Sequence, residues 1–201
     1  MRIVWPTLTV LAVLVALYGL MALVLPGFGP PFLAERRAET PWAVYAHLGG
    51  GLWALAAGPW QLNRRWRDAA LRFHRWLGRS YVLGVMVGAV GALALAPRAQ
   101  TGGVARAGFA LLGVLWLVFT VLAFVRIRRG DQAAHRRWML RSFALTLAAV
   151  TLRFYLPLSA AMGWSFQAAY PAIAWLCWVP NLVLVELYLR RAPRTVATAA
   201  V

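Results

Sequence analysis

Residues 104–125 read VARAGFALLGVLWLVFTVLAFV, an apolar run whose only charged side chain is Arg106. A bilayer core about 30 Å thick takes about 20 apolar residues in a helix that crosses it, so this run predicts a transmembrane helix. Five further runs have the same character, at residues 3–25, 42–62, 76–96, 138–162 and 169–189. The sequence therefore predicts an all-α, polytopic membrane helical bundle with six transmembrane helices.

The composition supports a membrane protein and excludes other classes. Hydrophobic residues make up 62% of the chain and charged residues 13%, whereas a soluble domain is about a quarter charged. An ordinary soluble globular protein and a disordered chain are both excluded. A single cysteine, Cys177, excludes an internal disulfide and a zinc site built from cysteines, and we expect it to be an inert core residue.

The basic residues set the predicted orientation. All 21 are arginine, and they lie mainly in the loops after the second and fourth runs and in the C-terminal tail. Since positive charge concentrates on the cytoplasmic side, both termini are predicted to be cytoplasmic, in a multi-pass protein of the bacterial inner membrane. The net charge of +16 then needs no nucleic-acid partner. The basic loops and tail contain Arg64, Arg65, Arg67, Arg72, Arg75, Arg126, Arg128, Arg129, Arg136, Arg137, Arg190, Arg191 and Arg194.

One membrane domain accounts for the chain. Residues 1–26 are predicted to form a first transmembrane helix, which is too long for the hydrophobic part of a signal peptide and is interpreted as retained. Residues 42–190 form a five-helix core, and residues 191–201 a flexible cytoplasmic tail.

Two predicted cytoplasmic helix beginnings resemble each other. Both contain His-Arg, then Trp, then Arg-Ser followed by an aromatic residue, and an Asp precedes each, Asp68 and Asp131. This similarity indicates an internal duplication. Helix N-termini and arginines attract anions, so the two beginnings together predict an anion-binding rim. The motifs are His74-Arg75-Trp76-Leu77-Gly78-Arg79-Ser80-Tyr81 and His135-Arg136-Arg137-Trp138-Met139-Leu140-Arg141-Ser142-Phe143.

These motifs, with three further stretches, resemble the predicted bacterial membrane proteins of domain-of-unknown-function family 2306. The resemblance spans about residues 42 to 190 and implies a membrane location without an established activity. The placement of the histidines is also similar to that in cytochrome b561-like bundles, which hold haem between histidines. The further stretches are residues 47–61, Thr151-Leu152-Arg153 and Trp175-x-x-Trp178-Val179-Pro180-Asn181-Leu182.

Ionisable residues inside apolar runs are costly, and they are candidates for function. His47 and Arg153 lie at similar depth in the outer half, where we expect a polar site for a water, a carbonyl or a bound anion. Glu186 lies in the inner half at the depth of Arg79 and Arg141, so one of these arginines is expected to pair with it.

Pro180 and Asn181 fall in the middle of the last apolar run. Proline removes a backbone hydrogen bond, so a kink is predicted there. Asn181 is expected to bond the freed carbonyl or to hydrogen-bond across helices.

The first functional hypothesis is an electron-transfer protein that binds haem b. His74 and His135 would ligate the iron, with no other metal expected, and Arg79 and Arg141 would pair with the propionates. Glycines 49–51 beside His47 are expected to leave space for the flat macrocycle.

A second hypothesis is a binding or transport module for an anionic small molecule or lipid headgroup, with His47 and Arg153 as its outer polar site. A third is a structural or assembly subunit of a membrane complex. No Ser-His-carboxylate or phosphate-loop pattern occurs, so neither a hydrolase nor a nucleotide site is indicated. No oligomeric state is indicated either.

Overall fold

The computed structural model describes residues 4–25 and 27–191, and the regular elements in these ranges are all helical. Of the predicted tail, residues 191–201, only Arg191 lies within them. The α-helices are α1 Val4–Val24, α2 Phe32–Glu39, α3 Pro41–Leu62, α4 Arg64–Ala69, α5 Leu71–Leu95, α6 Gly103–Arg128, α7 Gln132–Thr146, α8 Ala148–Ala161, α9 Phe166–Leu176 and α10 Val179–Arg191. A short 3-10 helix, Ala96–Arg98, follows α5.

Within residues 4–25 and 27–191, five stretches of helix are long and apolar enough to cross a membrane. The helix α3 is not among them, because its four glycines, His47 and Gln61 lower its hydropathy. The protein is therefore an all-helical membrane protein with several helices capable of spanning a bilayer. The five stretches are Trp5–Val24, Leu71–Arg98, Gly103–Arg128, Gln132–Ala161 and Phe166–Arg191.

Small residues bring α3 and α5 into backbone contact. A Cβ atom added to Gly91 would lie 2.6 Å from both the carbonyl oxygen of Ala43 and the backbone nitrogen of His47. One added to Gly50 would lie 2.6 Å from the backbone nitrogen of Gly88. In the sequence, Gly84-x-x-x-Gly88 places two small residues on one face of α5 and predicts such a close approach to another helix. The structure confirms the approach, and the partner helix is α3.

The last two apolar runs are each broken near the middle. The chain leaves the helix at Leu147, between α7 and α8, and again at residues 177 and 178, between α9 and α10. The second break confirms the kink predicted from Pro180. The first break was not predicted, since the proline of that run, Pro157, lies well inside α8.

Asn181 connects the two breaks. Its Nδ2 atom donates to the carbonyl oxygens of Ala144 at 3.3 Å and Cys177 at 3.0 Å, and to the hydroxyl of Thr151 at 2.8 Å. Because Ala144 precedes the first break and Thr151 follows it, one amide spans that break from the neighbouring helix. The predicted cross-helix hydrogen bond is confirmed.

The two look-alike helix beginnings differ at the residue that precedes them. Asp131 caps α7, since its Oδ1 accepts a hydrogen bond from the backbone of Ala134 at 2.9 Å. Asp68 instead lies within the short helix α4 and pairs with Arg67 at 2.8 Å. The two aspartates therefore have different structural roles, because Asp68 lies in α4, a helix that was not predicted.

Candidate functional site

A buried hydrogen-bond network joins the two repeated motifs inside the bundle. The hydroxyl of Tyr81 lies 3.0 Å from those of both Ser142 and Thr146. Trp116 donates to Thr146 at 2.9 Å, and Thr120 lies 2.7 Å from Ser142, oxygen to oxygen. All five residues are buried. The motifs thus meet through Tyr81 and Ser142, and this network was not predicted.

His74 and His135 both lie in the first turn of their helices, half-buried, and close enough for their charges to interact. The Nδ1 atom of His135 lies 2.9 Å from the carbonyl oxygen of Ala123. A carbonyl only accepts, so Nδ1 carries the hydrogen and the Nε2 of a neutral ring is an acceptor. The Nδ1 of His74 is buried, with no hydrogen-bond partner in the part of the chain that the structure describes.

Arg141 forms the ion pair predicted for Glu186. Its Nε and Nη2 atoms lie 2.5 and 2.9 Å from the two carboxylate oxygens, which ties α7 to α10. The guanidinium also lies 4.6 Å from the ring centroid of Trp138. Arg79 is exposed. Arg141 is therefore occupied by a structural partner.

The space expected at glycines 49–51 is only partly present. Gly50 packs against the backbone of Gly84 and Gly88. Gly84 lies ten residues beyond His74, about 15 Å along α5, so these glycines are remote from the proposed iron ligands. Their expected role in leaving space for a macrocycle beside His47 stays a prediction. Haem binding itself stays a prediction.

A cavity of about 320 Å³, here called the central cavity, lies among α1, α3, α6, α8 and α9. Its walls are mostly apolar, and Leu55, Trp116 and Cys177 line it near the middle of the bundle. His47 and Arg153, which were predicted to lie at similar depth, also line it. They place two polar groups in an otherwise apolar space.

Arg153 lacks a counter-charge among the described residues. Its Nη1 donates to the carbonyl oxygen of Ala149 at 2.8 Å, and its guanidinium carbon lies 5.1 Å from the ring centroid of Tyr18. Its Nε atom is buried and makes no hydrogen bond in the described ranges. Since a buried cation without a partner is costly, Arg153 is a strong candidate for ligand binding.

His47 complements Arg153 on the wall of the central cavity. Its Nδ1 lies 3.1 Å from the carbonyl oxygen of Gly88 and therefore donates, which leaves Nε2 as an acceptor in the neutral ring. The imidazole is close enough to Arg153 for their charges to interact. The pair thus offers a cationic donor beside an acceptor.

A second pocket of about 480 Å³, here called the mouth pocket, adjoins the central cavity. Arg36 and Arg98 line both, while Glu39, Thr101 and Arg106 line only the mouth pocket. Arg36, Arg98 and Arg106 were not predicted to belong to a site. The sequence does mark them, because they lie on the side predicted to be non-cytoplasmic, where the positive-inside rule predicts few basic residues.

A family model described as "Predicted membrane protein (DUF2306)" matches residues 44–189. The chain belongs to this family. The match covers well over half of the chain, and its description gives a membrane protein without an activity. No curated protein and no solved structure is significantly similar to the chain.

In this DUF2306 protein the central cavity combines matched and unmatched segments. His47 and Arg153 lie within the matched residues, whereas Tyr18 of α1 and Arg36 of α2 lie before them. The polar pair thus belongs to the family region, and part of the enclosing wall comes from the preceding helices.

Proposed function

We propose that this protein binds a small amphiphilic molecule in the central cavity, with an oxygen acceptor of the ligand, such as a carboxylate, held by Arg153 and with His47 beside it. The observation that carries the proposal is the buried Nε of Arg153, which faces no acceptor in the described residues. A carboxylate there would supply both the missing acceptor and the counter-charge. The apolar remainder of the wall suits a hydrocarbon chain.

In this proposal α3 is a sixth membrane crossing. Its 22 residues reach about 33 Å, and they contain no charged residue apart from the ionisable His47. The arginine-rich end with His74 and His135 then lies in the cytoplasm, together with both termini, under the positive-inside rule. The mouth pocket faces the opposite side of the bacterial inner membrane, so the ligand enters from that side.

Replacing Arg153 tests the proposal. Dodecanoate binding to the full chain in detergent, measured by native mass spectrometry, is expected to weaken roughly tenfold or more in Arg153→Gln, because the charge-assisted hydrogen bond is lost. Arg79→Gln, an exposed arginine outside the cavity, is the matched control and should bind like the unaltered protein. Equal binding of dodecanoate by Arg153→Gln, or equal binding of uncharged dodecanol by the unaltered protein, would contradict the proposal.

Two neighbouring glycines test the apolar part of the cavity. Gly51 lines the central cavity, and a Cβ added there has no neighbour within 4 Å. Gly49 is equally free of neighbours but does not line it. Gly51→Leu is therefore expected to occupy the ligand space and weaken dodecanoate binding roughly tenfold, while Gly49→Leu leaves binding intact. The same loss in both variants would show that binding occurs elsewhere.

A further inference from the structure

We infer that the mouth pocket binds a phosphate monoester, so that the ligand is a single-chain amphiphile with its phosphate at the mouth and its chain in the central cavity. The inference rests on the proposed function and names its ligand class. Three observations support it: the net charge of the mouth pocket, the unpartnered hydroxyl of a residue that lines it, and the lining residues that it shares with the central cavity.

The mouth pocket has an excess of positive charge. Arg36 forms an ion pair with Glu39, and the Nε of Arg98 lies 3.8 Å from the same carboxylate. Arg106 donates to the carbonyl oxygen of Ala99 at 3.4 Å and has no ion pair in the described part of the chain. Three guanidiniums thus share one carboxylate. The net charge of +2 matches a phosphate monoester, which carries about −1.5 to −2 at neutral pH.

Thr101 adds a hydroxyl to this pocket. Its Oγ1 is buried and has no hydrogen-bond partner among the described residues. Its φ of 66° is a left-handed conformation that a β-branched residue rarely adopts. The chain therefore holds Thr101 in a strained geometry on the wall of the mouth pocket, which Arg106 also lines.

The positions of the polar groups of the protein indicate the order of the chemical groups along the ligand. Arg36 and Arg98 line both spaces, which are therefore adjacent, and in this inference a single molecule extends from one into the other. His47 lies six residues, about 9 Å, beyond the start of α3 at Pro41, which itself follows the mouth residue Glu39 closely. In this ligand the phosphate lies in the mouth pocket, the ester carbonyl oxygen accepts a hydrogen bond from Arg153, and the apolar chain continues into the central cavity. A monoacyl glycerol phosphate has this order.

The central cavity admits one chain rather than two. Its volume of about 320 Å³ is at the lower end of the range of about 300–1,000 Å³ that ligand pockets occupy. A diacyl phospholipid would leave one chain outside it. The expected ligand is therefore a monoacyl species.

The test compares dodecanoyl lysophosphatidate with dodecanoate on the full chain in detergent, by native mass spectrometry. The phosphate probe is expected to bind roughly tenfold more tightly, and both Arg106→Gln and Thr101→Gly should reduce that advantage several-fold. Arg128→Gln, an exposed arginine lining neither pocket, is the control of equal charge change. Arg153→Gln should weaken both probes.

Three outcomes would overturn the inference. The first is equal affinity for the two probes, and the second is an advantage for the phosphate probe that persists in both mouth variants. The third is inorganic phosphate that binds together with dodecanoate as tightly as the linked probe, which would indicate a site for free phosphate. In each case, dodecanoate binding that still depends on Arg153 would leave the proposed function standing. If dodecanoate does not bind at all, the proposed function itself fails.

Discussion

Gly50→Ala is expected to destabilise the fold by about 3 kcal/mol, whereas Gly49→Ala leaves its stability unchanged or slightly higher. A Cβ on Gly50 would lie 2.6 Å from the nitrogen and 2.9 Å from the Cα of Gly88, and it would also meet the carbonyl oxygen of Gly84. These are backbone atoms, so α3 and α5 must separate to admit even one methyl group. A Cβ on Gly49 meets nothing within 4 Å.

The protein carries its own reporter for this experiment. Cys177 is the only cysteine of the sequence, and its side chain is 1% exposed. A maleimide dye that fluoresces on reaction with a thiol therefore reports unfolding as the detergent-solubilised protein is heated. The midpoint of Gly50→Ala is expected about 6–12 °C below that of the unaltered protein, and that of Gly49→Ala close to it. Equal shifts in the two variants would refute the packing described for α3 and α5.

Tyr81→Ala is expected to cost about 4 kcal/mol, and Tyr81→Phe about 1 kcal/mol. The ring of Tyr81 is completely buried, so truncation to alanine leaves a cavity in the centre of the bundle. Removing only the hydroxyl ends the contacts with Ser142 and Thr146, but these two side chains retain other partners in Thr120 and Trp116. The ring therefore contributes more to stability than its hydroxyl.

The same dye measures both Tyr81 variants. Tyr188→Ala is the matched control, since Tyr188 is 42% exposed on α10 and its truncation removes little packing. The order of midpoints is expected to be Tyr188→Ala, then Tyr81→Phe, then Tyr81→Ala, from highest to lowest. If Tyr81→Phe is as damaging as Tyr81→Ala, the hydroxyl and not the packed ring stabilises this region.

Those features of the fold that depend on local sequence patterns were predictable. The length of each apolar run gave the helices, and the small residues Gly84 and Gly88 gave a close contact on α5. The identity of the partner helix was not predictable, because any helix with a matching small residue would satisfy the same pattern. The break at Leu147 has no proline or glycine beside it in the sequence, so no local signal marks it.

The candidate site was predictable only where two residues are close because they lie at similar positions along neighbouring helices. His47 and Arg153 were placed together by counting residues, and the cavity contains both. The Tyr81 network was missed because hydroxyl residues in apolar helices commonly bond their own backbone. Thr120 and Thr146 do bond the carbonyl oxygens four residues earlier, and their contacts with other helices depend on the tertiary arrangement.

The side-chain amide of Asn181 has two hydrogens but lies within bonding distance of three oxygen atoms, on Ala144, Thr151 and Cys177. At least one hydrogen is therefore shared between two acceptors. The amide links the segment before the break at Leu147, and the segment after it that bears Arg153, to the neighbouring helix α10.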